Sequence, residues 1–356
     1  MPALPEPGGF AWRGDAELLL RANVALRISS RILVRLAVFE AKSFAELERY
    51  ARRIDWARIA GAGDALTFRV TCKKSRLYHS DAVAQRVADA AMRTVPGVRA
   101  EGGSVPEDAW GESGEESQLV VVRVSRDQVT VSADSSGALL HRRGYRQATA
   151  KAPLRETLAA ALLAASEWDG ASPLVDPLCG SGTIPIEGAL MARRLAPGTK
   201  RTFAAERWPG VARGLGDSVR QAAQFESLAR APGAIVGTDR DAGAVQGAIS
   251  NAERAEVTDD VEWATRSISA LALPDGARGW IVSNPPYGVR VGDMSRVRDL
   301  WAQLGQVLRA RAPGWRVALL SPDPALERQL GLLLVPVATT TNGGIPVRIV
   351  CGVVPG

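Results

Sequence analysis

Three observations predict an α/β chain: a doubly wound, mainly parallel sheet closed by an antiparallel terminal hairpin and preceded by an α+β region. From Ala171 onward, short apolar runs alternate with longer helical patterns, as in a parallel sheet flanked by helices. Near the end, Asn342-Gly343 lies between two β-branched runs, a strong hairpin signal. Before Ala150 the texture changes to β-branched runs with fewer helical patterns between them, so a separate α+β region comes first. With 356 residues the chain is long enough for two domains, each burying its own core.

In chain order, Arg31 to Phe39, Leu66 to Cys72, Leu119 to Val124 and Gln128 to Ala133 read as strands, with helices at Phe44 to Ile54 and Asp81 to Met92. Gly102-Gly103 and Glu112 to Ser117 are polar and breaker-rich and read as a surface loop. The join runs from His141-Arg-Arg-Gly-Tyr-Arg146 to Lys151-Ala-Pro153, after which Leu154, Leu158 and Leu162 open a helix. Strands then follow at Pro173 to Asp176, Ala234 to Asp239, Val261 to Ala264, Gly279 to Ser283 and Trp315 to Leu320. Helices at Asp241 to Ala255 and Met294 to Ala310 separate them; in the second, Val297, Leu300, Trp301, Leu304, Val307 and Leu308 recur at three and four residue steps and mark a buried face. Leu332 to Thr340 and Ile345 to Val353 form the hairpin.

Composition excludes several classes. Apolar residues make up 46% and charged residues 23%, ordinary for a globular protein. A net charge of +6 suits an anionic partner, although an arginine-rich composition gives the same excess. The three cysteines have neither metal-clip nor redox spacing, which fits a reducing cytoplasm. No stretch reads as a signal peptide or a membrane span, so a cytoplasmic protein without membrane association is expected. Only His79 and His141 are present, which argues against a histidine-built metal site or a Ser/His/Asp triad; no metal is expected.

The run "DPLCGSGTIPIEGAL", Asp176 to Leu190, is a strand, a glycine-rich turn and a helix. Its small residues let backbone N–H groups and the positive helix end approach a ligand. No third small residue follows in dinucleotide spacing, no Gly-Lys-Ser/Thr follows as in a phosphate loop, and Asp239 lies much further on than the ~20 residues of a NAD site. An acid ending one strand, a Gly-x-Gly turn, and a second acid ending the next strand suit an adenosine that carries an amino acid. S-adenosylmethionine has that shape. The expected cofactor contacts are Asp176, Pro177, Cys179, Gly180, Ser181, Gly182, Thr183, Asp239 and Arg240. A glycine turn that merely tightens a strand–helix corner is the alternative reading of this loop taken alone.

In "IVSNPPYGVR", two prolines stop the strand near Ser283, and Asn284 before them is biased to extended backbone. The Asn284 side-chain carbonyl and the Pro285 backbone carbonyl can each accept a hydrogen from an exocyclic amine on a planar base, localising its lone pair for attack. Tyr287 offers a stacking face. A proline turn closing a strand is the structural alternative. Asn284-Pro285-Pro286-Tyr287 resembles the signature of class I methyltransferases acting on planar nitrogen, which is specific for the chemistry but not for the substrate.

Longer stretches narrow the resemblance. "HRRGYR…APLRETLAAALL", "DPLCGSGTIPIEGALMARRLAPG" and "IVSNPPYGVR" are similar to the THUMP-containing RNA guanine methyltransferases, and Phe68 to Ala90 is similar to the THUMP module itself. The resemblance implies a class I methyltransferase sheet after a ferredoxin-like/THUMP region, S-adenosylmethionine as cofactor, and methyl transfer to the 2-amino group of guanosine in structured RNA, tRNA or 23S rRNA. It divides the chain into residues 1–50 (a partial ferredoxin-like region), 51–140 (THUMP), 141–155 (linker) and 156–356 (methyltransferase). Lys73, Lys74, Arg76 and His79, with Arg142, Arg143 and Arg146 at the hinge, are then expected to meet RNA; without the resemblance they read as a solvated face. This chain departs from the family in two places. It enters without an apparent first strand and helix, and Ser267 stands where an aspartate commonly holds the adenine amino group. An adenine 6-amino methyltransferase and an RNA-binding scaffold with a decayed cofactor site are the rival readings.

Overall fold

Local sequence decides where most elements begin and stop. In the computed structural model, which describes residues 3–6, 8–104, 117–147, 154–276, 278–287 and 294–356, the order opens with β1 (Leu4–Glu6), β2 (Gly9–Ala11), α1 (Ala16–Ala25), β3 (Leu33–Glu40), α2 (Phe44–Ala51), β4 (Ala65–Lys73), α3 (Ser80–Thr94), β5 (Arg99–Ser104), β6 (Ser117–Ser125) and β7 (Gln128–Asp134). It continues with α4 (Glu156–Ala165), β8 (Leu174–Asp176), α5 (Thr183–Ala192), α6 (Leu215–Phe225), β9 (Ile235–Asp239), α7 (Ala242–Ala255), β10 (Glu262–Thr265) and β11 (Trp280–Ser283). The last elements are α8 (Met294–Arg311), β12 (Arg316–Ser321), α9 (Pro324–Leu330), β13 (Leu334–Asn342) and β14 (Ile345–Val353). Asp15, Ser43, Asp241 and Asp323 cap α1, α2, α7 and α9 by accepting from first-turn N–H groups.

The chain divides into two units. One is Met1–Leu140 with Gly198–Ala223; the other is His141–Pro197 with Gln224–Gly356. In the second, seven strands take the order β10-β9-β8-β11-β12-β14-β13. The first five pair in parallel, while β14 runs antiparallel to β12 and β13. Alternate side chains along β11 face opposite layers: Val282 joins α4, α5 and α7 in one buried cluster, and Ile281 joins α8 and α9 in the other. This is the expected doubly wound sheet with its terminal hairpin. Gly343 and Gly344, with φ 56° and 82°, make the turn after Asn342.

In the first unit, the sheet order is β3-β7-β6-β4-β5, with β1 and β2 paired separately. The division at residue 50 does not follow this packing: β3 pairs with β7 from Leu33↔Asp134 to Glu40↔Gln128, so it completes the sheet that β4 and β6 build. Gly102 and Gly103, expected in a loop, lie inside β5 at the register shift between its Ala100 and Ser104 pairs with β4, while Glu112 to Glu116 of that expected loop lie outside the described residues. Nor are residues 141–155 a free linker. Arg143 and Tyr145 are buried within the second unit, and Lys151 to Pro153 lie outside the described residues. The segment Gly198–Ala223 leaves its neighbours in sequence and joins the first unit, where Gly198 N–H donates to Val24 O, Ala205 N–H to Ser135 O, and the Trp208 indole to Gln118 Oε1 at 2.6 Å.

Candidate active site

β8 and β11 are neighbours at the point where strand order reverses, and open α/β sheets bind ligands beyond the carboxyl ends of strands at such a point. Two acidic side chains end strands there. Asp176, only 1% exposed, accepts from Ser283 Oγ at 2.6 Å and from Leu178 N–H at 3.1 Å. Burial pushes its carboxyl up to about 7, against the lowering effect of the Ser283 and Leu178 bonds. Asp239 accepts Gly180 N–H on Oδ2 and Asp241 N–H on Oδ1, each at 3.0 Å, which ties the glycine turn to the end of β9.

The turn is packed inside and open outside. A Cβ at Gly182 would lie 2.7 Å from the Trp263 ring and 2.8 Å from Ala248, whereas one at Gly180 would meet nothing within 4 Å. Both glycines take left-handed backbone, φ 51° and 82°. Pro177, Cys179, Ser181 and Thr183 are buried, and burial with the Asp176 and Asp239 carboxylates raises the Cys179 thiol. An open backbone at Gly180 beside a part-exposed carboxylate at Asp239 fits the amino-acid and ribose portions of S-adenosylmethionine. Arg240 is exposed next to Asp239. Ser267 lies just past β10, exposed, with its hydroxyl 2.9 Å from Ser269 Oγ.

At the end of β11, the Ser283 hydroxyl bound to Asp176 fixes the backbone that carries Asn284. Asn284 Oδ1 is buried and has no hydrogen-bond partner among the described residues. Such an acceptor is costly to leave unmade and points to a missing donor. Trp301 Nε1 donates to Pro286 O at 3.0 Å, and Asn342 Nδ2 donates to the Tyr287 hydroxyl at 2.5 Å. Burial raises the Tyr287 hydroxyl pKa while the Asn342 bond lowers it. Gly288 to Arg290 of the same motif lie outside the described residues.

The basic residues separate. In the first unit Lys73, Lys74, Arg76 and His79 are exposed. Lys73 and Lys74 line a cleft of about 510 Å³ with Ser125, Arg126 and Gln128. In the second unit Arg142 is exposed, but Arg143 does not offer its charge to solvent: its guanidinium donates to both Glu187 oxygens at 3.3 and 3.5 Å. Arg146, with a side chain 13% exposed, donates to Leu154 O and Glu156 Oε2. The expectation that both meet RNA is corrected accordingly, because a buried arginine must be paired. Sequence reasoning gave no role at the site to Ser283, Asn251, Trp263, Trp301, Asn342 or Arg126. Asn251 left a signal: a polar residue in the three-step apolar series Val245, Ala248 on α7.

The description "RMKL-like, methyltransferase domain" matches residues 143–348. A candidate RNA methyltransferase of Synechocystis sp. is 33% identical over 344 residues, covering 96% of this chain and 88% of that protein. The ribosomal RNA large subunit methyltransferase K/L of Methylococcus capsulatus is 33% identical over 357 residues, with 96% of this chain covered but only 46% of that longer protein. Among solved structures, a candidate methylase from Clostridium difficile 630 aligns with a TM-score of 0.84 at 29% identity, covering 100% of this chain and 92% of that one. A candidate methyltransferase solved with SAH aligns with a TM-score of 0.82 at 28% identity, covering 98% and 91%. The sheet order, the glycine turn and these likenesses agree on the fold of an S-adenosylmethionine-dependent methyltransferase. The chain belongs to the RMKL-like methyltransferase domain family.

Proposed function

We propose that this protein is an S-adenosylmethionine-dependent RNA methyltransferase that acts on the 2-amino group of guanosine in structured RNA, tRNA or large-subunit rRNA. The observation that carries the reading is the buried, unpartnered Asn284 Oδ1 beside the Asp176–Ser283 pair. It supplies an acceptor for one amine hydrogen, and the Pro285 carbonyl supplies one for the other. Held by both, the nitrogen is pulled toward a pyramidal geometry with a localised lone pair. S-adenosylmethionine supplies a methyl group on a sulfonium: the N–C bond forms as the C–S bond breaks, the sulfur departs as a neutral thioether, and the now cationic nitrogen loses one proton to solvent, so the protein's part is orientation and hydrogen bonding more than strong-base chemistry. Gly180 and Asp239 hold the cofactor's amino-acid and ribose ends, and Tyr287, its hydroxyl fixed by Asn342, gives the base a stacking face.

RNA as the substrate is supported by curated relatives that carry RNA or ribosomal RNA methyltransferase names, and by the exposed Lys73, Lys74 and Arg76 in the first unit, which we take as a THUMP module. Duplex guanines hide the 2-amino group in the minor groove, so the target is unpaired or flipped. Asn284→Ala should lower turnover by about 10²- to 10³-fold while RNA affinity stays near wild type; unchanged turnover removes the amine-positioning role. Because Asn284 reads an amine rather than a ring, the adenine 6-amino group is the second reading. It is favoured by a Listeria monocytogenes relative, 30% identical with a TM-score of 0.81, described as a candidate N6-adenine-specific DNA methylase. Mass spectrometry of nucleosides from RNA and DNA labelled by the purified protein separates N2-methylguanosine from N6-methyladenosine.

A further inference from the structure

The Gly180-Ser181-Gly182 turn is held from behind by a hydrogen-bonded chain through Asn251 and Arg254, which lie outside the motifs. Ser181 lies between two left-handed glycines, where backbone freedom is greatest. Its peptide link to Gly182 is nonetheless fixed at both ends. Gly182 N–H donates to Cys179 O at 2.8 Å, and Ser181 O accepts from Asn251 Nδ2 at 3.0 Å. Asn251 is fully buried on α7, and its own carbonyl accepts from Arg254 Nη2. Arg254 Nε in turn donates to Tyr145 O at 2.6 Å. Tyr145 reaches the turn by a second route. Its hydroxyl donates at 3.1 Å to Glu187, which Arg143 also grips, and Glu187 sits on α5, the helix that starts at the turn.

We propose that Asn251 and Arg254 are positioning residues for the cofactor turn, and that through them the Arg143–Arg146 segment sets affinity for S-adenosylmethionine. The inference rests on the proposed cofactor use and goes beyond it. A turn built on two glycines samples other peptide orientations unless something outside it selects one, and the Asn251 amide selects the orientation in which Ser181 O points back toward α7. Arg254 fixes which way the Asn251 amide faces: with Oδ1 taken by the guanidinium, only the Nδ2 donor is left for Ser181 O. The exposed Arg142 immediately precedes the segment that holds Arg254 through Tyr145 O.

Calorimetric titration of S-adenosylmethionine into the full-length protein tests this without relying on turnover. Asn251→Asp keeps the volume and the Arg254 pair but sets a carboxylate against Ser181 O, so it should bind about tenfold more weakly than wild type at a temperature where its melting curve shows it fully folded. Arg254→Met should weaken binding by a comparable factor, and the Asn251→Ala/Arg254→Met double variant should be no worse than Asn251→Ala alone, because the arginine acts through the asparagine. Wild-type affinity in Asn251→Asp, or losses that multiply in the double variant, overturns the proposal. Failure of the wild-type protein to bind S-adenosylmethionine overturns the proposed function, and this inference with it.

Discussion

Gly180 and Gly182 share a left-handed backbone but answer to different constraints. At Gly182 a methyl group would press on Trp263 and Ala248, so Gly182→Ala should destabilise the second unit by about 3 kcal/mol, combining backbone strain with overpacking. Gly180→Ala meets only the backbone cost of about 1 kcal/mol, yet its methyl would stand where the ligand approaches, so its larger effect should fall on cofactor affinity. Denaturant unfolding beside calorimetry separates the two. Asp176 gives the pH signature. Burial lifts its carboxyl from 3.8 to about 7, which favours the protonated form in the fold. The stability it contributes is therefore full below pH ~4 and is lost as pH rises through about 7. Thermal melting from pH 4 to 8 should show this loss, and Asp176→Asn should reduce it, leaving the part carried by Glu156, whose carboxyl burial also lifts to about 7. The places of Asn284, Asp176 and the two glycines at strand ends and in the turn were legible because the signals that set them are local. Arg143 and Arg146 were not, because a charged residue reads the same in sequence whether it faces solvent or Glu187 and Glu156.

Elements were legible where a stop signal is covalent. Pro285 ends β11 at Ser283, and Asn342 with two glycines turns β13 into β14. In α8, Val297, Trp301, Leu304 and Leu308 are buried, as their spacing predicts, with Leu300 and Val307 packed at the edge. Where pairing overrides propensity the reading failed: β5 continues past Gly102 and Gly103 because Ser104 beyond them pairs with Phe68 of β4, the glycines taking up the register shift. The corner after β4 also acquires its shape from contacts distant in sequence. Arg126 N–H donates to Lys73 O at 3.2 Å and Arg76 N–H to Asp127 Oδ1 at 2.7 Å, while Lys74 and Arg126 both take left-handed backbone, φ 51° and 52°. On the RNA reading, neutralising Lys73, Lys74 and Arg76 should weaken binding across sequences and lower the salt slope by about one per lost phosphate contact. Filter binding across a salt series measures it, and an unaltered slope returns these residues to plain surface. Arg126→Ala should act in the same direction.

Across the whole molecule, the return of Gly198–Ala223 to the first unit makes that unit discontinuous in sequence. Trp208, 7% exposed with its indole on Gln118 of β6, is the natural probe. Trp208→Ala should destabilise the first unit by about 3–5 kcal/mol, and hydrogen exchange should show protection lost in β6 and β7 while β8 and β11 keep theirs. Sequence by itself determined the doubly wound sheet with its terminal hairpin, the glycine turn between two acidic strand ends, and the Asn-Pro-Pro-Tyr stop, because periodicity, proline and glycine act over a few neighbouring residues. Only tertiary structure decided that β8 and β11 lie side by side, that Ser283 reaches Asp176, that Asn251 holds Ser181, and that Arg143 is buried. Those facts depend on which strands pair and which faces are covered, and such choices are made between residues far apart in the chain, where no local pattern records them.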